Sequence, residues 1–407
     1  MTERFGGMDW KRRAKELADR VTDPDSRWRD AVAGVARHEL VPRWWEVDGS
    51  GGWVVREGAS DPYAWAKAAY GERSLVIRIG TLHADHAKPD DRTDDRPGDR
   101  PDDRPHGLPT SSAAPPHLTV RMLRHARLGA GLPLLDLGTA TGELAAYASH
   151  RLGGTTTVTS VDTDPHLTDT AGIRLARMGL HPQLITENTT EHIPGLYERI
   201  VSTAGLSAGP ALRPALAALV PGGRIAAPLA RTCLIITGWK HTNGDMIGQV
   251  EHDTAPSVPA RTGDDHPYAP VLTELFAHAR DARGDETGTG RHPVVDLANA
   301  RELRSMLEVT APGVEYTYAT HDRHRTACLL HPDGSWARAT AERTGPPEVH
   351  QGGPQRLWTI LERLRDRLNA EGSLPLLGAR VHITPDGNCH LSRGNWHTTI
   401  GSGSGTQ

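Results

Sequence analysis

The sequence predicts an α/β protein built around a doubly wound, mostly parallel sheet. Three observations predict it: short apolar runs alternate with helical patterns between residues 118 and 228, a loop of small residues follows a buried run at Gly138–Gly142, and Asp162 lies at the end of the next run. The carboxyl ends of parallel strands meet at one edge of such a sheet. We therefore expect a Rossmann-like domain in which the loop and the acidic residue lie side by side.

Each element is predicted from its own residues. The expected strands are short runs of apolar or β-branched residues, and the expected helices carry apolar residues at helical spacing. Two Pro-Asp-Gly sequences indicate tight turns between strands. Strands are predicted at 74–79, 132–137, 156–161, 183–186, 199–202 and 224–228, helices at 144–152, 165–178 and 357–368, and hairpin turns at 332–334 and 385–387.

The chain is expected to divide into five segments. Residues 1–87 are predicted to form an N-terminal helical cap, and residues 108–265 the domain that carries the parallel sheet. Residues 88–107 repeat Asp, Arg and Pro and contain no apolar residue, so we expect a disordered charged loop, either a surface insertion or a docking segment for a charged partner. Residues 266–400 are predicted to form a separate small α+β accessory domain, for which peptide binding is one interpretation, and residues 401–407 a flexible tail.

Composition and charge exclude several classes of function. A formal net charge of −4 gives no electrostatic reason to expect nucleic acid or an anionic membrane as a partner. The 3 cysteines are far apart, and no apolar stretch suits a signal peptide or a membrane span, so a cytoplasmic protein without disulfides is expected. The segment His83-Ala84-Asp85-His86 has metal-ligating side chains beside the charged loop. A solvated loop is the favoured interpretation, and no metal site is predicted.

The loop after the buried strand has the chemistry of a nucleotide-type cofactor site. Small residues let the backbone approach a ligand, and the following helix N-terminus favours an anion such as a methionyl carboxylate. Asp162 is placed to accept hydrogen bonds from both ribose hydroxyls. Nicotinamide and flavin proteins use similar turns, and an ordinary strand-to-helix turn with an N-capping Asp is a further alternative.

Two more polar residues follow later strands of the predicted sheet. Asn188 suits either contact with an adenine edge or an ordinary polar loop, and Thr203 is expected at the mouth of the sheet. Together these features favour S-adenosylmethionine as the cofactor and methyl transfer as the reaction. The predicted cofactor-binding residues are Asp136, Gly138, Thr139, Ala140, Thr141, Gly142, Asp162, Asn188 and Thr203.

Several motifs in the right order make the sequence resemble protein-L-isoaspartate O-methyltransferases, over residues 25–265. Arg37–Pro42 matches the family's R-H-x-F-V-P segment, and Ser112–Pro116 falls on its T-I-S-x-P substrate loop. Leu134–Gly142 matches V-L-E-I-G-T-G-T-G, and Tyr197–Thr203 matches Y-D-R-I-I-x-T. The resemblance implies a class I methyltransferase fold, S-adenosylmethionine and a carboxyl group as methyl acceptor.

The sequence is more similar still to a divergent actinobacterial branch of that family found beside ribosomally made peptides, including lanthipeptides, graspetides and lasso peptides. Trp65–Val76 matches the W-x-x-x-x-Y-x-x-x-S-L-V segment of this branch, and Thr384–Gly387 matches a T-P-D-G turn in its extra C-terminal domain. The resemblance implies a precursor peptide as the partner and methylation of one Asp, whose ester is expelled to give aspartimide or, after hydrolysis, isoaspartate. A general isoaspartate repair enzyme and a non-catalytic peptide-binding protein are the alternatives.

The sequence departs from the family at three positions. Ala114 stands where the substrate-loop serine is expected, so Ser112 or Ser111 is the candidate to supply a hydroxyl to the substrate carboxylate. Ala140 replaces the middle glycine of the cofactor loop, which the loop accommodates if φ stays negative. Asn188 replaces an acidic residue near adenine and keeps an acceptor without the charge. Because a carboxylate is already deprotonated at neutral pH, the missing serine changes substrate placement more than mechanism.

Overall fold

A computed structural model describes residues 4–5, 8–48, 52–88, 92–93, 109–255 and 270–401. The predicted charged loop lies outside these residues except for Lys88 and Arg92–Thr93, and the predicted tail lies outside them except for Gly401. Among the described residues, no helix combines the length and the apolar character needed to cross a membrane.

The N-terminal region contains a sheet as well as helices. Its elements are β1 (Arg4–Phe5), β2 (Met8–Asp9), α1 (Trp10–Val21), α2 (Arg29–Gly34), α3 (Arg37–Leu40), β3 (Arg43–Val47), β4 (Trp53–Glu57), α4 (Pro62–Ala69), β5 (Leu75–Ile79), β6 (Leu82–His83), β7 (Arg92–Thr93) and β8 (Pro109–Ala113). The strands β6-β5-β3-β4-β7 form an antiparallel sheet, and β8 pairs with β5. The prediction of a purely helical cap ending in one strand is therefore incomplete.

The strand β3 was missed because it does not alternate between apolar and polar residues. Trp44 and Trp45 are consecutive, and each is only 2% exposed. Adjacent side chains on a strand point to opposite faces. Accordingly, Trp44 packs into the core shared with Leu144, while Trp45 packs into a smaller cluster with Ile79.

The central region has the predicted parallel sheet. Its elements are α5 (Pro116–His125), β9 (Leu134–Leu137), α6 (Glu143–Leu152), β10 (Val158–Asp162), α7 (Pro165–Arg177), β11 (Gln183–Thr186), β12 (Tyr197–Val201), α8 (Arg213–Ala218), β13 (Leu219–Pro228), β14 (Leu234–Lys240) and β15 (Met246–Thr254). The strands β11-β10-β9-β12-β13 pair in parallel in that order. All residues of β9 are buried, as expected for a strand covered on both faces.

The C-terminal region adds to two sheets. Its elements are α9 (Pro270–Asp281), β16 (Glu286–Thr289), α10 (Arg301–Thr310), β17 (Glu315–His321), β18 (His324–Leu330), β19 (Trp336–Glu342), β20 (Glu348–Gly352), α11 (Leu357–Glu371), β21 (Arg380–Ile383), β22 (Cys389–Arg393) and β23 (Trp396–Ile400). The strands β16-β20-β19-β18-β17 form an antiparallel sheet, and both Pro-Asp-Gly turns join strands as predicted.

The C-terminal region is not separate from the parallel sheet. The strand β21 pairs with β15, so β21, β22 and β23 extend the central sheet to 10 strands. One apolar core contains Leu137 of β9, Leu303 of α10 and Leu361 of α11. The expectation of a separate unit over residues 266–400 therefore differs from the structure, because its last three strands join the central sheet and its apolar core is continuous with that of the parallel sheet.

Candidate functional site

A cavity of about 360 Å³ lies at the carboxyl edge of the parallel strands. Its wall contains residues that follow β9, β10, β11 and β12, together with the end of β8 and one residue of α10. The predicted site residues in this wall are Ser111, Ser112, Gly138, Ala140, Asp162 and Thr203. The remaining predicted residues, Asp136, Thr139, Thr141, Gly142 and Asn188, are outside it.

The cofactor loop has left-handed backbone at three positions. Gly138 and Gly142 have φ of 102° and 81°, where glycine has no steric penalty. Ala140 has φ of 45°, so the condition under which the sequence allowed alanine there, a negative φ, is not met. The left-handed turn directs the Ala140 N–H to Asp162 Oδ2 at 3.0 Å. This hydrogen bond joins the loop to the neighbouring strand β10.

Asp162 lies in the cavity wall at the end of β10. Its carboxylate accepts from the backbone N–H groups of Ala140 at 3.0 Å and Asp164 at 3.1 Å. Burial raises the pKa of Asp162, and these backbone donors oppose the rise. A carboxylate has about four acceptor positions, so capacity remains for a ligand hydroxyl. The geometry suits the predicted contact with a ribose.

Asp136 lies beneath the cofactor loop, where it is fully buried. Ser160 Oγ donates to Asp136 Oδ2 at 2.8 Å, and Thr139 Oγ1 is 2.8 Å from the same Ser160 oxygen. Burial raises the pKa of Asp136 to about 8; the Ser160 hydrogen bond lowers it, and the nearby Asp162 carboxylate raises it. The Asp136 side chain therefore supports the cofactor loop through Ser160 and Thr139, and it does not line the cavity.

Asn188 forms hydrogen bonds within its own turn. Its Nδ2 donates to Glu191 Oε1 at 2.7 Å, and its Oδ1 accepts from Thr190 Oγ1 at 2.8 Å. The next residues, Thr189 and Thr190, are the ones that line the cavity. Of the two interpretations open from the sequence, this geometry favours the ordinary polar loop for Asn188.

The segment that resembles a substrate loop lines the same cavity. Ser111 and Ser112 lie in the strand β8, and Ala114, directly after that strand, lies in the cavity wall with them. Within the described part of the chain, neither serine hydroxyl has a hydrogen-bond partner. Arg37 Nη2 donates to the Ala114 carbonyl at 3.0 Å and thereby fixes the backbone at this point.

The segment His83-Ala84-Asp85-His86 packs against α7 and is not a solvated loop. His83 Nε2 lies 3.0 Å from Asp164 Oδ2, and Arg174 Nη2 lies 2.7 Å from Asp85 Oδ2. The His166 ring packs at a tilt against the rings of His83 and His86, with ring centroids 4.3 and 4.2 Å away. The solvated-loop interpretation is wrong because the side chains of His83 and Asp85 contact polar side chains of a distant segment, Asp164 and Arg174.

Arg304 lies in the cavity wall and has no counterpart in the sequence prediction. Arg304, on α10, lines the cavity although it is far from Asp162 in the sequence. Its Nη1 donates to Tyr316 Oη at 3.2 Å, and its Nη2 donates to Cys233 Sγ at 3.2 Å. No local motif marks Arg304, since an arginine on an amphipathic helix resembles any solvated position.

Comparison with known proteins places one family on the central region. Residues 106–260 match the family model described as Protein-L-isoaspartate(D-aspartate) O-methyltransferase (PCMT). The chain is similar to a solved protein-L-isoaspartate O-methyltransferase at 13% identity, with a TM-score of 0.46 and coverage of 96% of this chain and 99% of that chain. No curated protein sequence matches the chain.

Two further solved structures are similar over smaller shares of the chain. A protein-L-isoaspartate O-methyltransferase from Plasmodium falciparum, in complex with S-adenosyl-L-homocysteine, has 14% identity and a TM-score of 0.42, covering 62% of this chain and 99% of that chain. TrmN from Thermus thermophilus has 24% identity and a TM-score of 0.26, covering 33% of this chain and 45% of that chain.

The matched segment contains the cofactor loop, Asp162 and the substrate-loop serines. The family match confirms the predicted methyltransferase fold of the central region and S-adenosylmethionine as its cofactor. The region from α9 to β23, including Arg304, lies beyond the matched residues.

Proposed function

We propose that this protein is an S-adenosylmethionine-dependent carboxyl O-methyltransferase that methylates one Asp side chain of a ribosomally made peptide. The observation that carries the proposal is that the cofactor loop and the substrate-loop serines line one cavity, whose wall also includes a residue of the C-terminal region. A precursor peptide is the proposed partner, and an aspartimide or isoaspartate the proposed product.

The residues present fit the cofactor. The left-handed glycine at 138 leaves open space beside the loop, since an added Cβ would meet only Ala204 Cβ at 3.8 Å. Asp162 has acceptor capacity for a ribose hydroxyl. Gly138, Ala140 and Asp162 would hold the cofactor, and Thr203 closes the wall beside them. When bound, S-adenosylmethionine supplies an electrophilic methyl group.

The chain's own contribution to the reaction is alignment. A substrate carboxylate is ionised at neutral pH and needs no general base. With S-adenosylmethionine bound, the cofactor would supply the methyl group, and the chain's residues would hold one carboxylate oxygen of the substrate toward it. Holding two reactants in line accounts for about 7–11 kcal/mol of a barrier. Ser111 and Ser112 are the proposed hydroxyls that hold the carboxylate in place.

The ester then closes on the peptide itself. The neighbouring backbone nitrogen attacks the ester carbonyl, loses its proton, and expels methanol to form the aspartimide. Water opens this ring to isoaspartate or aspartate. These steps need no further residue of the protein once the ester has formed.

A general isoaspartate repair enzyme is the second candidate, and the family match over residues 106–260 favours it. Ala114 in the substrate loop and the C-terminal wall residue Arg304 favour a dedicated peptide instead. A protein that binds cofactor and peptide without turnover is the remaining alternative.

Mass spectrometry separates these functions. The protein and S-adenosylmethionine are incubated with a short Asp-containing precursor encoded beside its gene, after the ring-forming enzyme has acted, and in parallel with an isoaspartyl model peptide. A gain of one methyl ester followed by loss of methanol on the precursor supports the proposal. Methylation of the isoaspartyl model alone supports repair, and cofactor binding without any methylation supports the non-catalytic alternative. The variant Asp162→Ala should abolish transfer, whereas Asp169→Ala, at an exposed position of α7, should retain it.

A further inference from the structure

We infer that Arg304 binds the carboxylate of the peptide substrate at the end of the cavity opposite Asp162, and so determines specificity for an acidic side chain. The inference rests on the proposed function, since it names the group that recognises that function's substrate. It assigns to the C-terminal region a direct contact with the acceptor peptide.

The sheet order places Arg304 and Asp162 on different sides of the cavity. Asp162 ends the strand β10, while Arg304 contacts Cys233, directly before β14. The strands β9, β12 and β13 lie between β10 and β14. If Asp162 holds the ribose, Arg304 is on the side left for the methyl acceptor.

Arg304 also lacks the counter-ion that other cations near the cavity have. Its side chain is half-buried, and no described carboxylate lies within 4.0 Å of it. By contrast, Arg78 in the same wall lies 3.3 Å from Asp164, and Arg231 nearby lies 2.7 Å from Glu315. A partly desolvated cation gains from an anion, so a ligand carboxylate is the group that this position favours.

The hydrogen bonds of Arg304 orient it and leave donors unused. Tyr316 and Cys233 each accept one bond from a terminal nitrogen, whereas Nε is buried and has no acceptor among the described residues. A guanidinium has five N–H donors in a planar fork that matches a carboxylate. The second N–H of each terminal nitrogen therefore remains for a ligand.

A role for Arg304 in binding the substrate carboxylate is also consistent with the altered substrate loop. The hydroxyl that the resemblance implies at position 114 is absent, and Ala114 and Arg304 line the same cavity. A charged donor from the C-terminal region adds an ionic partner for the substrate carboxylate to the neutral hydroxyls of Ser111 and Ser112. A carboxylate bound through one oxygen keeps the other available for methyl transfer.

The test measures equilibrium binding and needs no turnover. Three capped pentapeptides that differ only at a central Asp, isoaspartate or Asn are titrated into protein saturated with S-adenosylhomocysteine. The variants are Arg304→Met, Arg304→Lys and the matched control Arg301→Met, which alters an exposed arginine one turn earlier on α10. The melting temperature and the S-adenosylhomocysteine affinity of each variant are measured alongside.

Wild type is expected to bind an acidic peptide at least about tenfold more tightly than the Asn peptide, as one charge-assisted hydrogen bond implies. Arg304→Met should bring that ratio to about one with unchanged cofactor affinity, Arg304→Lys should retain part of it, and Arg301→Met all of it. The inference is overturned if Arg304→Met still prefers the acidic peptides over the Asn peptide, or if the wild type shows no such preference. It is also overturned if Arg304→Met lowers only the affinity for S-adenosylhomocysteine. If the protein prefers acidic peptides but transfers no methyl group to them, the proposed function fails while this inference stands.

Discussion

Arg37 Nε lies 2.8 Å from Glu143 Oε2, and both side chains are buried although 106 positions separate them in the chain. Glu143 is the first residue of α6, directly after the cofactor loop. The same guanidinium donates to the carbonyls of Ala114 and Ala69. One arginine therefore joins the substrate loop, the end of α4 and the helix that follows the cofactor loop.

Arg37→Met is expected to destabilise the protein by about 3–5 kcal/mol, because it leaves the Glu143 carboxylate buried without its cation. Urea unfolding followed by circular dichroism measures the change. Arg12→Met is the control, since Arg12 forms an exposed pair with Glu16 at 3.5 Å and should cost less than about 1 kcal/mol. Equal losses in the two variants would show that the buried pair has no special role.

Ala140→Gly is expected to stabilise the protein by about 1 kcal/mol, because Ala140 has φ of 45° and glycine adopts that conformation without strain. Its N–H bond to Asp162 is retained, so affinity for S-adenosylhomocysteine should not fall. Thermal unfolding and titration calorimetry measure the two quantities.

Ala176→Gly supplies the comparison for this change. Ala176 is an exposed residue within the helix α7, where glycine is expected to destabilise by up to about 1 kcal/mol. If both substitutions destabilise alike, the left-handed backbone at position 140 carries no strain.

Asp136→Asn is expected to remove a pH dependence of stability. The pKa of Asp136 is raised from 3.8 to about 8 by burial, so between these pH values the folded state holds a proton that the unfolded state has released. Stability of the wild type should therefore fall as pH rises through this range, by up to a few kcal/mol in total. Asn keeps an acceptor for Ser160 and does not titrate. Urea unfolding at several pH values from about 5 to 8, in one buffer system, gives the difference in unfolding free energy between the two proteins. If that difference does not change with pH, the prediction is contradicted.

The sequence predicted the parallel sheet well because its signals are local. The strand β9 is a continuous apolar run, the small residues after it mark a turn, and Asp162 ends the next strand. Each of these features is fixed by a few neighbouring residues, and so is the position of Gly138 and Asp162 at one edge of the sheet.

Contacts between distant segments were beyond such reasoning. The contacts of His83 with Asp164 and of Asp85 with Arg174, and the placement of Arg304 in the cavity wall, depend on tertiary packing. Asp136 is another case, since its motif suggested contact with the cofactor but its strand turns it under the loop. The pattern of residues does not distinguish these outcomes.

The double variant Ser111→Ala/Ser112→Ala is expected to raise the peptide KM by about two- to tenfold and to leave affinity for S-adenosylmethionine unchanged. Both serines line the cavity and neither hydroxyl has a partner among the described residues, and removing a neutral hydrogen bond costs about 0.5–1.5 kcal/mol. Steady-state methyl transfer to the precursor measures KM and kcat. Ser60→Ala, at an exposed position outside the cavity, is the control.

Adding Ala114→Ser to the double variant moves a hydroxyl to the position that the family resemblance implies. Ala114 lines the same cavity, and its backbone is held by Arg37 through the carbonyl, which the substitution leaves intact. Recovery of the peptide KM is therefore expected, because a hydroxyl on this short segment reaches the carboxylate from either position. A KM that changes in neither variant would show that the serines do not contact the substrate, and that its carboxylate is held by other groups.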